Sequence, residues 1–238
     1  MKRLNRVVGV IGGMGPEATI LLMSRLIEKT PAKDDSDHVP LLVDNNTQVP
    51  SRINAILEKT GKDPGPVLVN MAQKLENSGA EALVMPCNTA HHFAHEIKRS
   101  ITIPFFSMIE LSTSRIAQSK LANNKVGVLA SPAAQEMRVF DDSLAAHGLE
   151  VMYSEHQAEM LFAIHNIKQR GENPDSRRIL VTCGEELIEK GADLLMIACS
   201  ELSLISDAIS GNHPTVDTLD YLVESIIDFS INRAQVNA

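Results

Sequence analysis

The feature that most constrains this chain is a repeat. GAEALVMPCN (79–88) lies on GADLLMIACS (191–200) without a gap, so Cys87 and Cys199 are equivalent positions 112 residues apart. Each half also opens on a matching apolar run, VVGVI (7–11) and KVGVL (125–129), of the kind that forms a buried strand. Around these runs strands and helices alternate. RVVGVIGG (6–13) reads as a strand ended by glycines, and PEATILLMSRLIEKT (16–30) as a helix with Pro16 in its first turn. VPLLVDNN (39–46), EALVMPC (81–87) and IPFFSM (103–108) read as extended. PVLVNMAQKLENSG (66–79), HHFAHEIKRSI (91–101) and IELSTSRIAQSKLA (109–122) read as helices. Strand followed by helix, repeated, predicts a mostly parallel sheet flanked by helices on both faces. The expected fold is therefore α/β, with two similar domains and a pseudo-symmetric internal repeat. Residues 111–215 make the second unit and 1–110 the first. The stretch 216–235 has helical spacing, and the tail QVNA is expected to fray.

Composition narrows the function classes. With 238 residues, 44% of them hydrophobic, the chain can bury a sizeable core. MKRLNRVVGVIGG has no apolar core of signal-peptide length, and no apolar stretch approaches the roughly 18 residues that cross a bilayer, so a cytoplasmic location without membrane contact is the default expectation. A net charge of −8 argues against nucleic acid as a partner. An anionic substrate would then need locally placed cations. Three widely spaced cysteines exclude an all-paired disulfide framework and offer no CxxC pair for zinc, so free thiols in a reducing compartment are expected.

Cys87 and Cys199 each fall where an apolar strand gives way to a helix, and the carboxyl ends of parallel strands are where ligands bind. Two half-units offering a thiol from such a place can face each other across a cleft. Their polar flanks, Asn88-Thr89 and Ser200-Glu201, sit at helix starts, where free amides bind anions and favour a thiolate. Thr89 and Ser200 also suit helix caps. Cys183, in LVTCGEEL, reads as packing, as do Met71 and Met196. His91 and His92 point in different directions on a helix and have no second ligand pair, so no metal is expected. GGMGPEAT lacks the Walker lysine and the GxGxxG order of phosphate loops, and Met14 reads instead as an apolar wall of a substrate pocket.

At these residues the sequence resembles the aspartate/glutamate racemase family over nearly its whole length. The family's Gly-Gly-Met-Gly-Pro stretch is present as Gly12-Gly13-Met14-Gly15-Pro16, and its Pro-Cys-Asn-Thr-x-His motif as Pro86-Cys87-Asn88-Thr89-Ala90-His91. The second motif, usually Gly-Cys-Thr-Glu, appears as Ala198-Cys199-Ser200-Glu201. VPSR (49–52) resembles the segment that supplies a substrate-binding arginine, which gives Arg52 that role, and Lys168 in HNIKQRG sits where the family has a lysine for the same anionic side chain.

The resemblance implies a cofactor-independent racemase of a small acidic amino acid, aspartate first and glutamate or a wider set second. Its active site would lie between two α/β domains, with residues 216–238 returning to the first. It also implies Cys87 and Cys199 as the proton-transferring pair and a homodimeric assembly. Inversion needs an acid and a base on opposite faces of one carbon, and two thiols can exchange those roles. Asn88, Thr89 and Ser200 are expected as donors to the developing negative charge, with Glu201 at the same site. One departure stands out: Ala130-Ser131-Pro132-Ala133-Ala134 replaces a threonine- and glycine-containing turn, with Ser131 as the remaining hydroxyl. Related decarboxylases and isomerases share the two-domain design. A non-catalytic sensor of acidic metabolites is the alternative from a different class, and a redox sensor joining the two thiols is a third.

Overall fold

The structure is a computed structural model that describes residues 5–119, 121, 124–209, 211 and 213–232. The tail QVNA, expected to fray, lies outside the described residues. Among the described residues eight strands form: β1 (Val8–Gly12), β2 (Leu41–Asn45), β3 (Ala82–Val84), β4 (Phe105–Phe106), β5 (Lys125–Leu129), β6 (Glu150–Tyr153), β7 (Leu194–Ile197) and β8 (Thr215–Asp217). They make two four-stranded, wholly parallel sheets with the same plan, β2-β1-β3-β4 and β6-β5-β7-β8. The repeated runs thus occupy equivalent central strands, β1 with β5 and β3 with β7.

The flanking helices are α1 (Pro16–Lys29), α2 (Gly65–Asn77), α3 (Ala94–Ser100), α4 (Met108–Ser119), α5 (Pro132–Glu136), α6 (Asp141–Ala145), α7 (Gln157–Arg170), α8 (Pro174–Glu189) and α9 (Thr218–Ile227). Successive strand residues point to opposite faces, so each sheet buries both. In the first, Ile11 and Leu83 pack with Leu68, Leu75 and Ile97 of α2 and α3. Its other face packs Val8, Val10 and Val84 with Leu22 and Leu26 of α1 and Leu222 and Ile226 of α9. In the second, Val126 and Met196 meet Ile109 and Ile116 of α4, while Leu195 and Ile197 meet Ile164, Cys183 and Leu187 of α7 and α8. Met71, Met196 and Cys183 are therefore core, as their sequence context suggests.

The repeat extends to packing. A Cβ built on Gly9 would lie 2.5 Å from Leu83 Cδ2 and 2.9 Å from Ala80 Cβ, with Leu75 Cβ next at 3.2 Å. On Gly127 it would meet Leu195 at 2.9 Å, and Ala192 and Leu187 at 3.1 Å, the same three residues displaced by one repeat. In both halves the helix before the central strand lies so close to the sheet that only glycine fits beneath it.

One expected boundary moves. Val216 and Asp217 are strand, pairing with Met196 and Ile197, whereas the helical spacing predicts a helix from 216. Asp217 ends the strand as an N-cap, its side chain accepting from Leu219 N at 2.9 Å, and α9 starts only after it. From there α9 packs on the first sheet and against α4, where Arg115 pairs with Glu224 across the join. Among the described residues no helix is long and apolar enough to cross a membrane.

Candidate active site

Both cysteines line one small pocket, although each is nearly buried, at 8% and 6% exposure. Cys87 arrives three residues after β3 and Cys199 two residues after β7, so each half contributes a thiol from the same place in its sheet.

The turn after β1 supplies Met14. Gly13 has φ +89, and a Cβ there would lie 2.4 Å from the backbone of Asn46, so the turn folds tightly over the end of β2. Thr19 Oγ1 accepts from Gly13 N at 3.0 Å and fixes the turn to α1. Met14, 3% exposed, forms an apolar wall. Arg52 enters from the segment before a short π-helical turn; its Nη1 donates to Pro50 O at 2.9 Å. Its Nε is buried without a partner. A buried donor left unpaired costs about 1–3 kcal/mol.

Across the pocket, α7 brings Lys168. Lys168 Nζ lies 3.2 Å from Glu201 Oε1, and Glu201 Oε2 accepts from the Cys199 thiol at 3.2 Å. Burial, then the Glu201 charge and hydrogen bond, push the Cys199 thiol well above its ordinary range, and Lys168 only partly offsets this. Burial alone would lower the Lys168 ammonium, but Glu201 and the two cysteines outweigh it, and the group is held above its usual value. Cys199 therefore carries its proton at neutral pH and donates it in a hydrogen bond to the Glu201 carboxylate.

Thr89 and Ser131 come from opposite halves, and their hydroxyls meet at 2.9 Å on the pocket wall. Ser131 also caps α5, its side chain accepting from Ala134 N. The departure at Ala130–Ala134 thus retains a hydroxyl held in place at both ends.

Asn88 and Ser200 differ from expectation. Neither lines the pocket: Asn88 Nδ2 donates to Thr218 Oγ1 at 3.0 Å, and Ser200 Oγ to Pro86 O at 2.8 Å. Both are 2% exposed, and each is drawn to a partner distant in sequence instead of to the cleft. The helix starts behind the thiols also differ, because 3-10 helices Thr89–Phe93 and Leu202–Ala208 follow the cysteines. Short 3-10 segments align fewer peptide dipoles than an α-helix, so less of the anion-binding power expected there comes from helix ends.

Ser51, Ile53 and Ile164 also line the pocket and escaped the sequence reading. Ser51 and Ile53 flank Arg52, and Ile164 precedes Lys168 by four residues, one turn along the same face of α7. His91, set aside as a metal ligand, has another place. Its Nε2 accepts from Met108 N at 3.0 Å, so Nδ1 carries the hydrogen and donates to Cys87 O at 2.9 Å. The signal was its spacing of four from Cys87.

The chain is 25% identical over 226 residues to the broad specificity amino-acid racemase RacX of Bacillus subtilis (strain 168), covering 93% of this chain and 96% of that protein. The structure of an aspartate racemase from Picrophilus torridus matches with a TM-score of 0.81 at 28% identity, over 94% of this chain and 93% of that one. An aspartate racemase homologue from Pyrococcus horikoshii OT3 shares the fold, with a TM-score of 0.74 at 20% identity over 94% and 98% of the two chains. The Asp/Glu/Hydantoin racemase family model matches residues 11–226, from β1 through α9. With two thiols presented from repeated strand ends into one pocket, and with that match spanning both halves, this chain belongs to the Asp/Glu/hydantoin racemase family.

Proposed function

We propose that the protein racemises an acidic amino acid, aspartate first, by cofactor-independent proton transfer between two thiols. The observation that supports this most is the sharing of one pocket by Cys87 and Cys199 with Arg52, whose buried Nε has no partner.

Inversion requires a base on one face of the α-carbon and an acid on the other. In one direction Cys87, as thiolate, takes the α-proton, and Cys199, already a thiol, delivers its own to the opposite face. The products are the inverted amino acid, a Cys87 thiol and a Cys199 thiolate. Lys168 stabilises that thiolate, and Glu201 holds the Cys199 thiol in place by a hydrogen bond before the transfer. The reverse direction exchanges the roles, so any titration seen in rate profiles belongs to the pair.

Removal of an α-proton places negative charge on the substrate carboxylate, which preorganised donors must meet. Arg52 offers its guanidinium, and the Thr89–Ser131 hydroxyl pair offers a further donor. Glu201 offsets part of the Lys168 charge within the pocket, and the ammonium keeps further N–H donors for a carboxylate beside Arg52. A second reading, a wider substrate range, is supported by the apolar wall of Met14, Ile53 and Ile164 and by the similarity to the broad specificity racemase of Bacillus subtilis.

The test is α-proton exchange and inversion in deuterated water, followed by NMR, with both enantiomers of aspartate, glutamate and a panel of neutral amino acids. Wild type is expected to exchange and invert, and Cys87→Ser and Cys199→Ser each to lose inversion. Binding without any exchange in wild type would overturn the proposal in favour of a sensor.

A further inference from the structure

Behind the two cysteines runs a buried polar network that the chemistry above does not use. Thr218 Oγ1 accepts from Asn88, the residue after Cys87, at 3.0 Å. The preceding residue, Asp217, accepts from Ser203 Oγ at 2.8 Å. Ser203 in turn donates its backbone N–H to Cys199 O at 3.0 Å, and its hydroxyl lies 3.4 Å from the same carbonyl. One dipeptide at the start of α9 therefore holds the turn of each thiol, one from each half.

The network is anchored from a third side. Arg25 of α1 donates to Asp217 Oδ2 at 2.7 Å and to Ser203 O at 2.8 Å, which neutralises a carboxylate whose side chain is only 6% exposed. Asp217 is thereby saturated: Oδ1 takes Ser203 and Leu219 N, and Oδ2 takes Arg25. The bonds to Asp217 join elements 192 residues apart, and buried hydrogen bonds of this kind hold their partners in one arrangement. A chain that only needed to join its two sheets could do so with apolar contacts, as α9 and α4 do elsewhere.

We infer that Asp217 and Thr218, with Arg25 as counter-ion and Ser203 as relay, are positioning residues that fix the placement of Cys87 relative to Cys199. This rests on the racemase reading for its kinetic consequence, but its geometric content does not. In a two-base reaction the intermediate must meet the second thiol before it recaptures a proton from the first. A displaced thiol lengthens that wait, and solvent deuterium then enters substrate that is never inverted.

The experiment compares wild type with Thr218→Val, Thr218→Ser and Ser203→Ala, at a temperature where circular dichroism shows each folded. With the amino acid that wild type turns over fastest, Thr218→Val and Ser203→Ala are expected to lower kcat at least tenfold with KM within twofold. The ratio of α-proton exchange to inversion should rise in both, and Thr218→Ser, which keeps the hydroxyl, should restore wild-type values. Unchanged kcat and an unchanged ratio in both variants would overturn the inference. A second measurement needs no turnover: iodoacetamide labelling of each cysteine, read by peptide mass spectrometry. Thr218→Val should change the rate at Cys87, and Ser203→Ala the rate at Cys199. Altered labelling in an enzyme that turns over no amino acid would reject the racemase reading and keep the brace; unaltered labelling at both sites would reject the brace.

Discussion

Replacing His91 by glutamine exposes a pH dependence that the buried imidazole imposes on the fold. His91 is 7% exposed, and both ring nitrogens are committed, one accepting from Met108 N–H and the other donating to Cys87 O. A second ring proton would face the Met108 N–H and lose its acceptor. Burial, opposed by the Cys87 carbonyl, lowers the pKa from 6.5 to about 4. The sign follows directly: between those values the unfolded chain binds the proton and the folded chain does not, so stability is full above about pH 7 and falls as pH drops toward 4. Linkage with these two values gives a loss of about 2 kcal/mol between pH 7 and pH 5. Glutamine cannot titrate there. At pH 7, His91→Gln is expected to cost about 1–3 kcal/mol through imperfectly replaced hydrogen bonds. Urea denaturation of both proteins across pH 5–7 isolates this residue from the chain's seven other histidines. The stability difference between wild type and variant should move by about 2 kcal/mol in the variant's favour as pH falls to 5. A gap constant within about 0.5 kcal/mol would refute the neutral, doubly bonded imidazole.

Two further outcomes test other parts of the structure. Glu201→Gln removes a charge that pushes the Cys199 thiol up, so the pH profile of Cys199 alkylation should move to lower pH; a profile that stays in place or rises would show that Glu201 does not face the thiol. Gly127→Ala places a Cβ 2.9 Å from Leu195 and 3.1 Å from Ala192 and Leu187, an overpacking expected to cost about 1–3 kcal/mol. Differential scanning calorimetry should show a lowered midpoint, and an unchanged one would mean that α8 can move away from the sheet.

The repeat made the two sheets legible. Runs such as VVGVI (7–11) and VGVL (126–129) are apolar throughout because their strands are covered on both faces, and Gly9 and Gly127 mark the same close approach in each half. The cysteines were legible as a pair for the same reason, since a position at the end of a strand is a local property. Lys168, Arg52 and Met14 came with their motifs, and all three line the pocket. Where side chains turn was not local. Asn88 and Ser200 occupy the expected backbone positions, yet their polar atoms bond to Thr218 and Pro86, 130 and 114 residues away. The start of α9 moved for a related reason, because pairing with β7 claimed Val216 and Asp217 before the helix could.

Periodicity and repetition in the sequence determined which segments become strands and helices, that there are two of each unit, and that a thiol stands at the end of one central strand in each. Those properties depend on spacing along the chain. Tertiary structure alone decided which polar groups face the pocket and which brace it, from the Arg25–Asp217 pair to the His91 bridge between Cys87 and Met108. A hydrogen bond goes to the partner that folding brings within reach, and every buried donor competes for the acceptors gathered there from remote parts of the chain.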